Sequence, residues 1–257
     1  MNLRVASFNV RFGLALDGWN SWLPFRWLAA RTVVRHLDAD LLGLQEAYAF
    51  QTWCLRQRGF GMTGDGRNED GGGERCSVLY RKDRLRLVDS STRWYGDEPF
   101  RAGSKLPRAS HPRITTIADV ELGDGQPFTF VNTHLDQRYD DNRVAAARQL
   151  VAWLGDGPTI VVGDLNAKPG TEPLKVLEGA GLRSALPPDS PGTNHDFGRR
   201  DPWIWIDHIL VSEHWKVRDT GVLTEKPFGR HPSDHWPLYA DLTLATTQST
   251  TAGTAGS

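Results

Sequence analysis

Cysteine is almost absent from this chain. Cys54 and Cys76 are too few for a disulfide framework and too isolated for a zinc ligand set. An excess of one charge is missing as well: 30 basic residues against 31 acidic ones leave a formal net charge of -1. Proteins that hold long nucleic acids through the phosphates usually carry a clear basic surplus, so polymer binding is the minority reading. No apolar run approaches the roughly 20 residues of a membrane-spanning helix. The opening MNLRVASFNV lacks a charged start and apolar core and enters a strand pattern at once, so a cytoplasmic protein is the expectation. Internal repeats are absent. The one low-complexity stretch, from about Ala245, is made of small polar residues; 245–257 is expected to be disordered and 1–244 to form one domain.

What is present is a 39% hydrophobic chain in which strand patterns alternate with helices and loops. LRVASFNV and DLLGLQE read as strands, separated by a helix from about Pro24 to Leu37, with a further helix over about 47–58. SVLYRK, LRLVDSST, ITTIADVEL and FTFVNTHLD follow as strands. DDNRVAAARQLVAWL has its apolar residues at helical spacing. TIVVGDL, a short helix over 172–178, WIDHILV, KVRDTGVL and HWPLYADL complete the series. Hairpins mixed with crossover helices predict an α/β protein of packed mixed sheets covered by helices. The stretches 59–74 and 187–201 are expected to be irregular.

Polar residues recur where these strands end. Asn9 closes SFNV, Glu46 closes LLGLQE, and His134 lies in VNTHLD. VVGDLNAKPG offers Asp164 and Asn166, WIDHIL offers Asp207, and PSDHWPL offers Asp234 and His235. Each has an ordinary explanation alone: a turn amide, a first-turn helix acid, a core histidine, an Asx turn. Ordinary explanations for all of them together are weak, because strand ends are where α/β architectures place ligands. Acids, amides and imidazoles in such a set suit metal-assisted hydrolysis of a phosphoester. Mg²⁺ wants a few hard oxygen ligands, and an attacking water wants a nearby carboxylate or imidazole as base. The histidines lack the helical spacing of a zinc hydrolase.

In this order SFNV, LLGLQE, NTHLD, GDLNA, IDHIL and SDHWPL resemble the endonuclease/exonuclease/phosphatase (DNase I-like) family, with the NTHLD form similar to its DNase I, sphingomyelinase and CCR4-like branches and the chain as a whole most similar to the bacterial CCR4/nocturnin-like branch. The resemblance spans essentially Leu3 to Leu242 and implies a four-layer α/β sandwich of two mixed β-sheets flanked by helices. It implies Mg²⁺, with Mn²⁺ as a substitute, held by Glu46 with Asn9 and Asp234. It further implies catalytic roles for His134, Asp164, Asn166, Asp207 and His235, with either Asp164 or His235 as the base. Arg11 stands where several family nucleases carry an acid; it removes one possible ligand, argues against a second metal there, and adds a phosphate clamp. GSKLPRASHPR resembles bacterial members in which Lys105 and Arg113 would lie near the phosphate. Nine basic residues against four acidic ones between Arg81 and Arg113 suggest a local anion-steering lobe. The expected activity is hydrolysis of a phosphomonoester or phosphodiester on a small or short substrate. The alternatives are a DNA or RNA nuclease and a catalytically silent binding module. Partners beyond the substrate are not inferable, and specificity is expected to reside in the loops.

Overall fold

The computed structural model describes residues 2–200 and 203–245. In chain order these form β1 (Asn2–Asn9), α1 (Trp27–Leu37), β2 (Leu41–Ala47), α2 (Ala49–Leu55), β3 (Phe60–Thr63), β4 (Arg75–Arg81), β5 (Leu85–Trp94), β6 (Ile114–Leu122) and β7 (Pro127–His134). Then come α3 (Asp140–Trp153), β8 (Thr159–Asp164), α4 (Glu172–Gly179), β9 (Arg183–Ser184), β10 (Asp207–Val211), β11 (Trp215–Val222) and β12 (Leu238–Leu244). Two six-stranded sheets result, ordered β11-β12-β1-β2-β4-β3 and β5-β6-β7-β8-β10-β9. Both are mixed: β1–β2 and β7–β8 run parallel, and the other pairs run antiparallel.

Alternation along the strands explains the layering. On β1, Ala6 and Phe8 point outward, where they meet Ala30, Val33 and Val34 of α1. On the other sheet Val131, Val161 and Leu210 meet Ala146 and Leu150 of α3 and Leu174 of α4. The opposite set, including Leu3, Val5, Phe128, Phe130, Ile160, Val162, Ile209 and Val211, forms the core between the sheets. Two sheets inside and helices on both outer faces make a four-layer α/β sandwich.

The same alternation delivers the site. Inward positions on β1 run Leu3, Val5, Ser7, Asn9; on β7 they run Phe128, Phe130, Asn132, His134; on β8 they run Ile160, Val162, Asp164. Antiparallel β10 reads Val211, Ile209, Asp207 in the same direction. Each strand is therefore apolar at one end of the sandwich and polar at the other. Register aligns the polar ends, since His134 and Asp207 both pair with Asp164. Gly163 makes the close approach possible: its φ is +149°, and a Cβ there would lie 1.9 Å from the Thr133 carbonyl oxygen.

Several expectations change. The helix read from Pro24 begins at Trp27, because Leu23, ahead of the proline, is extended at φ -99°, ψ 145°. The segment 59–74 is not wholly irregular. It opens with β3, whose buried Phe60 and close-packed Gly61 pair with β4, so a neighbouring ladder overrides a glycine-rich composition. Within 187–201 one short turn, Asp196–Gly198, and isolated bridges from Asn194 to Ile204 and His235 give order without a regular element. The tail expected to be disordered lies, from 246 onward, outside the described residues.

Candidate active site

The polar strand ends enclose an open cleft of about 380 Å³. Asp164 sits at its centre, buried. Its Oδ1 accepts from the Asn166 backbone N–H (2.9 Å) and its Oδ2 from Asn9 Nδ2 (3.0 Å). The same Oδ2 lies 3.5 Å from His134 Nε2 and 3.9 Å from His235 Nε2. Burial, reinforced by the Asp207 carboxylate and opposed by His235, pushes the Asp164 carboxyl up to about 7.

His235 is gripped from both sides. Its Nδ1 bonds Asp207 Oδ2 at 2.8 Å, and its Nε2 lies 2.7 Å from the Asn194 carboxamide. Burial disfavours the charged ring, but Asp207, together with Asp164 and Asp234, pushes its pKa up to about 10. The atom placed there is Asn194 Nδ2; a cationic ring, which donates from both nitrogens, requires the carboxamide turned so that its oxygen, otherwise buried without a partner, accepts. Thr193 Oγ1 donates to the same Asp207 oxygen. His134 is held the other way: burial, aided by Arg113, Arg67 and His235, drives its pKa well below the ordinary histidine value. Asn166 Nδ2 donates to the Leu135 carbonyl and lies 3.1 Å from His134 Nε2. The carbonyl can only accept, so the NH₂ group also faces His134, whose Nε2 accepts and whose proton is on Nδ1.

Asn9 is fully buried and presents its NH₂ to Glu46 Oε1 (3.0 Å) and to Asp164 while its oxygen accepts from the Arg11 N–H (3.0 Å). It thus bridges two carboxylates, beside the position where the family resemblance implies a metal. Glu46 leaves β2 at a break in register with β4, takes φ +60°, and accepts from the Phe12 N–H at 3.1 Å. Asn166 (+49°) and Arg11 (+54°) share that sparsely populated conformation. Such local cost concentrated at a cleft is the pattern of a functional site. Asp234 is buried, held by Ser233 Oγ (3.0 Å), and lies 3.8 Å from Arg11 Nε; burial and Glu46 raise its pKa, against His235 and Arg11.

The donor set fits a hard divalent cation. Ligand atoms of Glu46, His134 and Asp164 lie within 4.8 Å of one another, and Asp234 adds a further carboxylate on the cleft wall. Burial, with neighbouring carboxylates, raises the proton affinity of Asp164 and Asp234, and a bound cation relieves the cost of holding such carboxylates charged. Asp164, Asp207 and His235 also cluster, but the Asp207–His235 bond and the ring's positive charge satisfy that group internally.

The phosphate-contact residues divide. Arg11 lines the cleft but is engaged by Asp17 (3.2 Å from both Nε and Nη2). Arg113 is buried and, with Arg67 and Glu74, borders a small void next to Glu46 and His134. Lys105 is exposed and is not among the residues lining the cleft. The basic stretch is largely neutralised: Arg81, Arg84, Arg86, Arg101 and Arg108 each pair with an acid. Sequence reasoning missed Thr193, Asn194, Phe197, Arg199 and Arg200, all on a segment without periodicity. The only sequence signal there was the polar run itself.

Comparison with known proteins agrees with this geometry. The family model described as "Endonuclease/Exonuclease/phosphatase family" matches residues 6–235. An endonuclease/exonuclease/phosphatase from Bacteroides vulgatus is similar at 29% identity and TM-score 0.85, covering 95% of this chain and 99% of that one. A mannosyl-6-phosphatase from Bacteroides thetaiotaomicron is similar at 26% identity and TM-score 0.81, covering 94% of this chain and 100% of that one. The human nocturnin catalytic domain, solved with bound sulfate, shares the fold at 23% identity and TM-score 0.74, covering 95% of this chain and 94% of that one. No curated protein matches the sequence. The strand-end acids, amides and histidines, the sandwich that gathers them and the match along residues 6–235 lead to one conclusion: the chain belongs to the endonuclease/exonuclease/phosphatase family and is a hydrolase of phosphoester bonds.

Proposed function

We propose that the protein is a Mg²⁺-dependent phosphoesterase, accepting Mn²⁺ in its place, that hydrolyses a phosphomonoester or phosphodiester of a small or short substrate. One observation carries the reading: Asn9, His134 and His235, from chain segments far apart in sequence, converge on a single carboxylate oxygen, Asp164 Oδ2. Glu46 and Asp234, with Asp164 beside them, would hold the cation, which when bound neutralises phosphate oxygens and the leaving alkoxide.

The chain's own residues do the rest. His235 Nδ1 bonds Asp207 and its Nε2 meets Asn194, so the charged ring offers no lone pair to take a proton from water. Asp164 is therefore the base that takes the water's proton, and the Asn166 N–H and Asn9 NH₂ orient its carboxylate. His134, neutral and accepting at Nε2, aligns the Asn166 amide so that its free oxygen and NH₂ face defined partners.

A nuclease is the second reading. It loses its main support because five of the nine cations in the basic stretch are paired with acids. A silent binding module is disfavoured by an intact set of acids and histidines. Two free thiols suit a reducing compartment, the cytoplasm; among the described residues no helix is long and apolar enough to cross a membrane. The deciding assay incubates purified protein with 4-nitrophenyl phosphate, bis(4-nitrophenyl) phosphate, plasmid, single-stranded DNA and poly(A), with Mg²⁺ or EDTA. The proposal expects EDTA-sensitive turnover of small esters that Asp164→Ala abolishes. No turnover, or degraded polymers beside intact small esters, would remove it.

A further inference from the structure

The cleft is lined by two chain regions of different charge. Glu46, Asp164 and Asp234 line it from the strand ends. The segment 194–200 contributes Asn194, Asp196, Phe197, Arg199 and Arg200, of which only Asn194 takes part in the chemistry described above. This wall is built onto the catalytic segment. The N–H groups of His195 and Asp196 both donate to the Asp234 carbonyl (2.9 and 3.1 Å), and Arg200 N–H donates back to the His195 carbonyl (3.2 Å). Asp196 and Phe197 take consecutive left-handed conformations (φ +48° and +53°), which turns the chain sharply at the rim.

The three arginines of the cleft differ in what they have to spare. Arg11 is held by Asp17 and Asp234. Arg199 and Arg200 share one carboxylate, Asp196, at 3.8 and 4.0 Å, with side chains 68% and 48% exposed. Ion pairs that long and that wet contribute little. Among the described residues, two guanidiniums beside a single weakly engaged carboxylate leave this stretch of the lining net positive, and guanidinium is the group best shaped for phosphate oxygens.

We propose that Arg199 and Arg200 form a second phosphate subsite, so that the preferred substrate carries another phosphate beyond the one hydrolysed. The inference rests on the phosphoesterase reading for the first phosphate, but its binding can be read without turnover. A second phosphate comes either from a small bisphosphorylated molecule or from the next linkage of a short oligonucleotide; the cleft's chemistry is common to both.

The test uses the full chain and the double variant Arg199→Gln/Arg200→Gln. In isothermal titration without divalent cation, wild type is expected to bind inorganic pyrophosphate about tenfold more tightly than orthophosphate, with that preference lost in the variant. Equal affinities in wild type, or a preference that survives the substitutions, overturns the subsite even if the protein proves to be a hydrolase. With Mg²⁺, kinetics on fructose 1,6-bisphosphate against fructose 6-phosphate, and on a trinucleotide against a dinucleotide, identify the source. The substitutions are expected to lower the kcat/KM ratio by about tenfold within the matching pair, mainly through KM. A ratio unchanged in both pairs contradicts the proposal. If wild type turns over nothing, the hydrolase reading fails alone and the titration still decides the subsite.

Discussion

The two ends of the space between the sheets share strands and architecture and differ in nearly everything else. At one end Phe128, Phe130, Ile160, Val162 and Ile209 pack without a polar atom among their side chains. At the other, on the same strands and the same face, stand His134, Asp164 and Asp207, all buried. Between them lies a neutral polar layer: Asn132 donates to the carbonyls of Leu44 (2.9 Å) and Ser77 (2.8 Å) and accepts from Gln45 Nε2 (2.7 Å). Apolar burial holds the strands in place, and that rigidity maintains acids at separations they would not choose. Stability and chemistry are thus distributed along one set of strands, a few residues apart.

The comparison can be broken most severely at Asp164. Asp164→Asn is expected to lower kcat by roughly 10³-fold, the scale of a lost general base, while raising Tm of the metal-free protein above pH 7 because a crowded charge is gone. Steady-state rates beside calorimetry check both; a fall in Tm together with retained turnover would undo the division. Phe130→Ala, at the apolar end, should destabilise by about 3–5 kcal/mol, measured by urea unfolding. At 4 °C, where the variant stays folded, its kcat should remain within about threefold of wild type.

The pH response sharpens the comparison further. Asp164, raised from 3.8 to about 7, keeps a proton in the folded state that the unfolded chain gives up, so stability is lost as pH rises through that window. His235, raised from 6.5 to about 10, contributes stability that is complete below 6.5 and lost as pH rises toward 10. Above pH 7.5 the histidine dominates, so metal-free Tm should fall between pH 7.5 and 10. Asp207→Asn should start lower and fall less; parallel curves would mean that Asp207 does not hold the charge. The smallest effect belongs at the surface: Leu16→Ser, on a side chain 98% exposed, should change stability by less than about 0.5 kcal/mol.

The sequence showed the strand ends because period-two alternation and short polar motifs are local signals. LRVASFNV and TIVVGDL each carry their own gradient from apolar to polar. What it concealed depends on contacts far apart in the chain. Asn9 acts as a bridge only because Asp164 comes to it across 155 positions, and Ser233 donates to the Asn9 carbonyl across 224. Glu46 owes its projection to a register break against β4, and β3 owes its existence to the same neighbour. Arg199 and Arg200 read as surface charge until the backbone bonds of their segment to Asp234 bring them into the lining of the same cleft as the acids. For Lys105 the motif likeness suggested a phosphate contact, and the residue is exposed without being among those that line the cleft.

Everything said of the chemistry requires a divalent cation to prefer the polar end of the sandwich. Anomalous diffraction from crystals soaked in Mn²⁺ tests this directly. The account predicts a peak about 2.0–2.6 Å from a Glu46 carboxylate oxygen, lost in Glu46→Gln crystals. A peak bound elsewhere, or none in the cleft at millimolar Mn²⁺, would contradict it.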